Sequence, residues 1–282
     1  MNYLEALNYG NSLLKKNNII NYSLDSELLL ASALNLTREK LLISLKKNLK
    51  KKICYKYKKL IFRRKKKEPI AYILNKKEFW KFNFFVNKDV LIPRPETEIL
   101  VEETLKLIGS NSSKSILDVG TGSGCVIISL VKERPKCKAT AIDISKKAIK
   151  VAKFNAKMHH LQNKINIINI NVDKFHQYKY DFIVSNPPYI NKFDYKRLEK
   201  DIRFYEPKLA LEAGINGLSE INKLILKSKL LLKNKGKLIF EIGSKQKEQT
   251  KFLLKKNGFY INKICYDINS HPRVIISTKL YL

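Results

Sequence analysis

With 282 residues, 44% of them hydrophobic, the chain has apolar material for one large domain and a small one, yet no stretch nears the roughly 18–20 unbroken apolar residues of a membrane span. A formal net charge of +31 invites a nucleic-acid reading, but lysine far outnumbers arginine and comes with abundant Asn and Ile, the pattern an AT-biased coding genome imposes. Cys54, Cys125, Cys137 and Cys265 form no Cys-x-x-Cys pair, the four histidines have no ligand spacing, and the first residues carry Glu5 without a basic run, so a reduced, metal-free, cytoplasmic protein is expected.

Residues 1 to about 67 read as helices. Leu4, Leu7, Leu13 and Leu14, then Leu24, Leu28, Leu29, Leu30, Ala33 and Leu34, keep helical spacing, with Ser23 or Asp25 as cap for the second run. Thr37 opens a third helix. A fourth covers about 51–66, with Ile53, Tyr57, Leu60 and Ile61 on one side and the charged run Arg63–Lys67 as a solvated end. A small all-α domain is therefore expected over 1–74. The connector, 75–92, is rich in aromatic and β-branched residues from Phe79 to Ile92 and is expected to form a β-hairpin turning at Asn87-Lys88-Asp89.

From 93 to 282 strands and helices alternate. A helix follows Pro93-Arg94-Pro95. Strands are predicted at 115–119, 138–142, 165–170, 180–185 and 237–242, and helices at 123–133, 146–159, 218–232 and 246–257. Two last strands, 260–266 and 273–280, have no helix between them, which predicts an antiparallel pair at one edge of an α/β, doubly wound parallel sheet.

Two motifs carry the chemistry. Asp118-Val119-Gly120-Thr121-Gly122-Ser123-Gly124 lies where a strand hands over to a helix, so its backbone can approach a ligand and the helix offers free N–H groups. A dinucleotide fingerprint needs a glycine at 125, where Cys125 stands. The spacing instead resembles the loop of the seven-stranded, class I, Rossmann-like methyltransferases that use S-adenosylmethionine (SAM). On that reading Gly120, Thr121, Gly122, Ser123 and Gly124 hold the cofactor, Asp118 orients the loop and meets the ammonium, and Asp143 accepts from the ribose hydroxyls. Asp173 and Lys174 lie at the adenine edge.

The second motif is Asn186-Pro187-Pro188-Tyr189. Consecutive prolines fix the backbone and remove two N–H donors, leaving the Pro187 carbonyl outward beside the Asn186 side-chain oxygen. Two adjacent acceptors suit a planar –NH2, and Tyr189 is read as an aromatic wall. Acceptors on both N–H bonds raise electron density on a poorly nucleophilic amide nitrogen, so Asn186, Pro187 and Tyr189 are the catalytic candidates.

Together with Phe79-Trp80, Ile92–Glu98, Tyr205-Glu206-Pro207 and Arg273-Val274, these motifs resemble the bacterial release-factor glutamine methyltransferases, the PrmC/HemK family, across essentially the whole chain. The resemblance implies N5-methylation of the glutamine in the Gly-Gly-Gln loop of class 1 peptide release factors; a monomer that needs no membrane, metal or sequence-specific nucleic acid is expected. The resemblance also implies that Asn186, Pro187, Pro188 and Tyr189 hold the substrate glutamine, that Asn186 lies against the cofactor as well, and that the helical domain and hairpin cradle the release factor. Lys174, Asn216 and Asn269 depart from the family pattern. Two other readings stay open: an adenine-N6 DNA or guanine-N2 RNA methyltransferase, which shares the Asn-Pro-Pro-Tyr corner, and a non-enzymatic basic ribosome-associated binding protein.

Overall fold

The computed structural model describes residues 1–176 and 179–280. The chain forms two compact units: Met1–Asn75 with Glu199–Tyr205, and Lys76–Leu198 with Glu206–Leu282.

The first unit contains α1 (Tyr3–Lys16), α2 (Tyr22–Leu34), α3 (Arg38–Leu42), α4 (Lys51–Lys65) and α5 (Ile70–Leu74). A capping box of Asn2 and Glu5 starts α1. Leu7, Leu14, Leu29, Leu30, Tyr57 and Ile61 meet in one core. Gly10 makes room for Tyr57, whose hydroxyl bonds Ser26 Oγ at 2.6 Å; an added Cβ would stand 2.0 Å from that oxygen. Two expectations fail here. Neither Ser23 nor Asp25 caps α2, which begins at Tyr22 with Asn21 as an N-cap that makes no side-chain bond. Asp25 turns inward instead, accepting from Arg64 Nε at 2.7 Å, so Arg64 is structural rather than solvated, while Arg63 pairs with Glu68 and stays 38% exposed.

The second unit opens with a hairpin, β1 (Lys77–Phe79) and β2 (Phe82–Phe84), which turns at Trp80-Lys81 and not at Asn87–Asp89. No glycine announces this turn. Trp80 is held at φ 57° because its N–H donates to Glu98 Oε1 at 2.7 Å and its indole donates to Glu133 Oε1 at 3.0 Å. Asn87–Asp89 does form a turn, but Val90 and Ile92 beyond it pack inward without pairing into a strand.

Then follow α6 (Glu98–Leu107), β3 (Ser115–Val119), α7 (Cys125–Glu133), β4 (Lys138–Asp143), α8 (Lys146–Met158), β5 (Ile165–Asn169), β6 (Tyr180–Ser185), α9 (Lys192–Arg197), α10 (Lys200–Tyr205, in the first unit), α11 (Ser219–Leu231), β7 (Leu232–Glu241), α12 (Lys247–Lys256), β8 (Phe259–Tyr266) and β9 (Pro272–Lys279). The seven-stranded sheet has the order β5-β4-β3-β6-β7-β9-β8. It is parallel except for β9, which runs antiparallel to both neighbours, as the missing helix between the last two strands predicts.

Strand residues alternate between two cores. Ile116, Ala139, Ala141, Phe182, Val184, Ile239, Val274 and Ile276 face α6, α7 and α8, whereas Leu117, Ile142, Ile183, Leu238, Phe240 and Ile275 face α11 and α12. Strands covered on both faces read as continuous apolar runs, which is why they were legible. The order reverses between β3 and β6, so the ends of these strands frame the crevice where open α/β sheets bind ligands.

Candidate active site

Both sequence motifs end at that crevice, the glycine loop after β3 and the prolyl corner after β6. They line one cavity of about 470 Å³ with Pro93, Thr97, Asp118, Asp143, Asn171 and Val172. Gly120 and Gly122 have φ of 73° and 55°, and nothing lies within 4 Å of where a Cβ would be, so the loop offers bare backbone and open space. Asp143 braces it: Oδ2 accepts from Gly122 N at 2.9 Å and Oδ1 from Ser145 N at 2.8 Å, leaving one lone pair per oxygen. Asn155, fully buried on α8, donates to Ser123 O and Phe85 O and accepts from Phe85 N, tying loop and hairpin segment together. Burial pushes the Asp118 carboxyl up to about 7 against the pull of the Thr121 hydroxyl, which donates to it at 2.7 Å.

These cavity walls fit a SAM-like ligand: bare glycine backbone, and the Asp143 carboxylate at the end of β4. Asp173 and Lys174 fit less well. Both are exposed and neither lines the cavity. The Asp173 N–H is already given to Asn171 Oδ1 at 2.9 Å, and it is Asn171 and Val172 of this segment that line the cavity. Gly124 also lies outside the lining, as the N-cap of α7.

At the prolyl corner, Asn186 Nδ2 donates to Thr97 Oγ1 at 2.9 Å. Among the described residues none donates to Asn186 Oδ1 or to the Pro187 carbonyl, so both acceptors are available beside the cavity. Tyr189 does not line the cavity. Its ring packs in the core facing α11 and its hydroxyl donates to Glu241 Oε1 at 3.2 Å, so it buttresses the corner rather than walling it. Gln246 holds the Tyr189 carbonyl at 3.0 Å and the Gly217 carbonyl at 2.8 Å, and Gly217, at φ 71°, admits that close approach. Arg94 and the Ile92 N–H both bind buried Glu206, anchoring the segment that carries Thr97.

Thr97, Asn155, Glu206, Glu241 and Gln246 were not singled out from the sequence for these roles. Glu241 had a readable signal, a carboxylate inside the apolar run Leu238–Ile242.

The Methyltransferase small domain model matches residues 95–202 and the PrmC N-terminal domain model matches 5–74. The chain is 40% identical to the release factor glutamine methyltransferase of Buchnera aphidicola subsp. Acyrthosiphon pisum, covering 95% of this chain and 96% of that protein. This chain belongs to the release factor glutamine methyltransferase family. It is also 39% identical to a bifunctional methyltransferase of Rickettsia typhi over 96% of its own length, but spans only 56% of that relative, about half the length of the Rickettsia proteins it matches. A solved methyltransferase from Pyrococcus furiosus shares the fold of this family member, with TM-score 0.54 and 18% identity over 73% of this chain and 92% of that one.

Proposed function

We propose that the protein transfers a methyl group from SAM to the side-chain N5 of the glutamine in the Gly-Gly-Gln loop of class 1 release factors, giving N5-methylglutamine and S-adenosylhomocysteine. The observation that carries this reading is the pair of unengaged acceptors, Asn186 Oδ1 and Pro187 O, on two residues that line the same cavity as the glycine loop. Names of relatives spanning nearly the full chain support the same substrate.

Gly120–Ser123 and Asp143 would hold the donor, in a cavity that Asn171 and Val172 also line. The bound donor supplies a methyl group already activated on a sulfonium. The remaining work is alignment, which is worth up to ~7–11 kcal/mol when two reactants are held in line. Asn186 Oδ1 and Pro187 O each accept one amide hydrogen, fixing the plane of the –NH2 and turning its face toward the donor. Drawing on both N–H bonds localises the nitrogen lone pair and favours pyramidalisation. After transfer one of the two amide protons leaves to solvent, and no side chain is needed as a dedicated base. The rigidity of two prolines and the Tyr189–Glu241 bond keeps these acceptors from collapsing inward.

The reading includes a monomeric, cytoplasmic enzyme that uses no metal and no specific nucleic acid. The protein, a release factor and labelled SAM test it. Mass spectrometry of the loop peptide should show one methyl group on the glutamine. Label on DNA or ribosomal RNA, with none on the release factor, would overturn it.

A further inference from the structure

Glu241 closes β7 with a carboxylate 1% exposed, and the proposed function uses it only as the partner of the Tyr189 hydroxyl. Thr97 Oγ1 donates to its Oε2 at 2.6 Å, and the Tyr189 hydroxyl donates to its Oε1. A hydroxyl has a single proton. Thr97 spends it on Glu241, so toward Asn186 it can only accept, and it does so from Nδ2 at 2.9 Å. An amide has an oxygen end and an NH2 end; once the NH2 end is claimed by Thr97, the oxygen must face the cavity.

We infer that Glu241, acting through Thr97, is a positioning residue that sets which end of the Asn186 amide faces the methyl acceptor, and so selects a carboxamide over a carboxylate. This rests on the reading of the acceptor as a glutamine side chain. A glutamate side chain ionised at neutral pH offers only acceptors, and it meets Asn186 Oδ1 and Pro187 O with repulsion. Reversing the Asn186 amide would turn one repelling oxygen into a donor.

The carboxylate form of Glu241 is what enforces the direction. The groups that face it are Thr97 and Tyr189 by hydrogen bonding, Arg273 on β9 as an opposite charge, and Glu96 as a like charge. Burial pushes its carboxyl up to about 7. Once protonated, it can donate to Thr97 Oγ1, which frees the threonine proton for Asn186 Oδ1 and reverses the relay. Glu241→Gln mimics that state: while Tyr189 keeps donating to one end of the new amide, the NH2 end points at Thr97.

Two readouts on the full chain test this. In 15N-labelled protein without acceptor, the Asn186 side-chain amide, identified by its loss in Asn186→Ala, should shift with a midpoint near pH ~7. In Glu241→Gln it should stay at the acidic position throughout. In the kinetic arm, a release factor whose loop glutamine is replaced by glutamate serves as competitive inhibitor. Sites that hydrogen-bond a polar substrate group reject analogues lacking it by up to ~10⁴-fold. Glu241→Gln should narrow the preference for glutamine about tenfold and lower kcat about tenfold at pH ~8, with little change in SAM affinity by calorimetry. Thr97→Val should behave likewise and carries the test if Glu241→Gln does not fold; Thr97→Ser should restore the wild-type values. An Asn186 signal that titrates identically in Glu241→Gln, or an unchanged glutamine preference in both folded variants, overturns the inference. A wild-type enzyme silent on release factor, with the Asn186 amide titrating as described and fixed in Glu241→Gln, would sink the substrate reading and leave the relay standing.

Discussion

Asn186→Ala deletes one of two acceptors and leaves the Thr97 hydroxyl without its incoming bond. Losing a preorganised polar contact at the reacting centre costs ~10²–10³ in rate. Turnover of the release factor should therefore fall at least ~100-fold, with SAM affinity by calorimetry changed much less, because the glycine loop and Asp143 are untouched. At Asp143 the opposite split is expected: Asp143→Ala removes the brace on Gly122 and the free lone pairs, so SAM binding should weaken markedly before the acceptor KM changes. Burial also makes two carboxylates unusual, since Asp118 and Glu241 are each raised to about 7. Between roughly pH 4 and 7 the folded protein holds protons that the unfolded chain releases, so these groups make stability fall as pH rises through that window, by at most about 1.4 kcal/mol per pH unit each. Urea midpoints at pH ~5 and ~8 should therefore drop less in Asp118→Asn and Glu241→Gln than in wild type. An equal drop in all three would remove the burial argument.

At the scale of elements, the cavity depends on how α8 and the hairpin segment are joined to the glycine loop. Asn155 makes three hydrogen bonds there while fully buried, and alanine would strand Phe85 N and two carbonyls. Each buried orphan costs about 1–3 kcal/mol, so Asn155→Ala should lower unfolding free energy by roughly 3 kcal/mol or more. A loss under about 1 kcal/mol would mean the loop finds other partners. The sheet itself was legible because strands buried on both faces must be apolar throughout and the helices between them keep a 3.6-residue period. The hairpin was misread for the opposite reason. Its turn is stabilised by Glu98 and Glu133, residues 18 and 53 positions away, while the local signal at Asn87–Asp89 marks a turn without a second strand. The same holds for Asp25, whose capping chemistry is overridden by Arg64, 39 residues on. In the β8–β9 turn the left-handed residue is Ser270, and Asp267 Oδ1 takes the N–H groups of Asn269 and His271.

For the whole molecule, the division into units crosses the sequence order. Residues 199–205 belong to the first unit, where the Tyr205 hydroxyl donates to Lys66 O at 2.8 Å and Asp201 lies 3.9 Å from Arg64. A fragment beginning at Lys76 should therefore exchange amide hydrogens much faster over 199–205 while the seven-stranded sheet stays protected, as expected when a segment loses its partners and its neighbours do not. Unchanged protection of 199–205 would show that this helix needs no partner from residues 1–75.

Sequence by itself determined the alternation of strands and helices, the antiparallel last pair, the position of both motifs at strand ends, and the chemistry that two prolines and an asparagine offer to an –NH2 group. All of these follow from local periodicity or from the covalent nature of proline and glycine. Only the tertiary structure decided that Tyr189 braces rather than lines the cavity, that Asn171 and Val172 replace Asp173 and Lys174 along its wall, and that Glu241 reaches Asn186 through Thr97. Those pairings join residues up to 144 positions apart. Hydrogen-bond direction is a property of the closed network, and no window of sequence contains it.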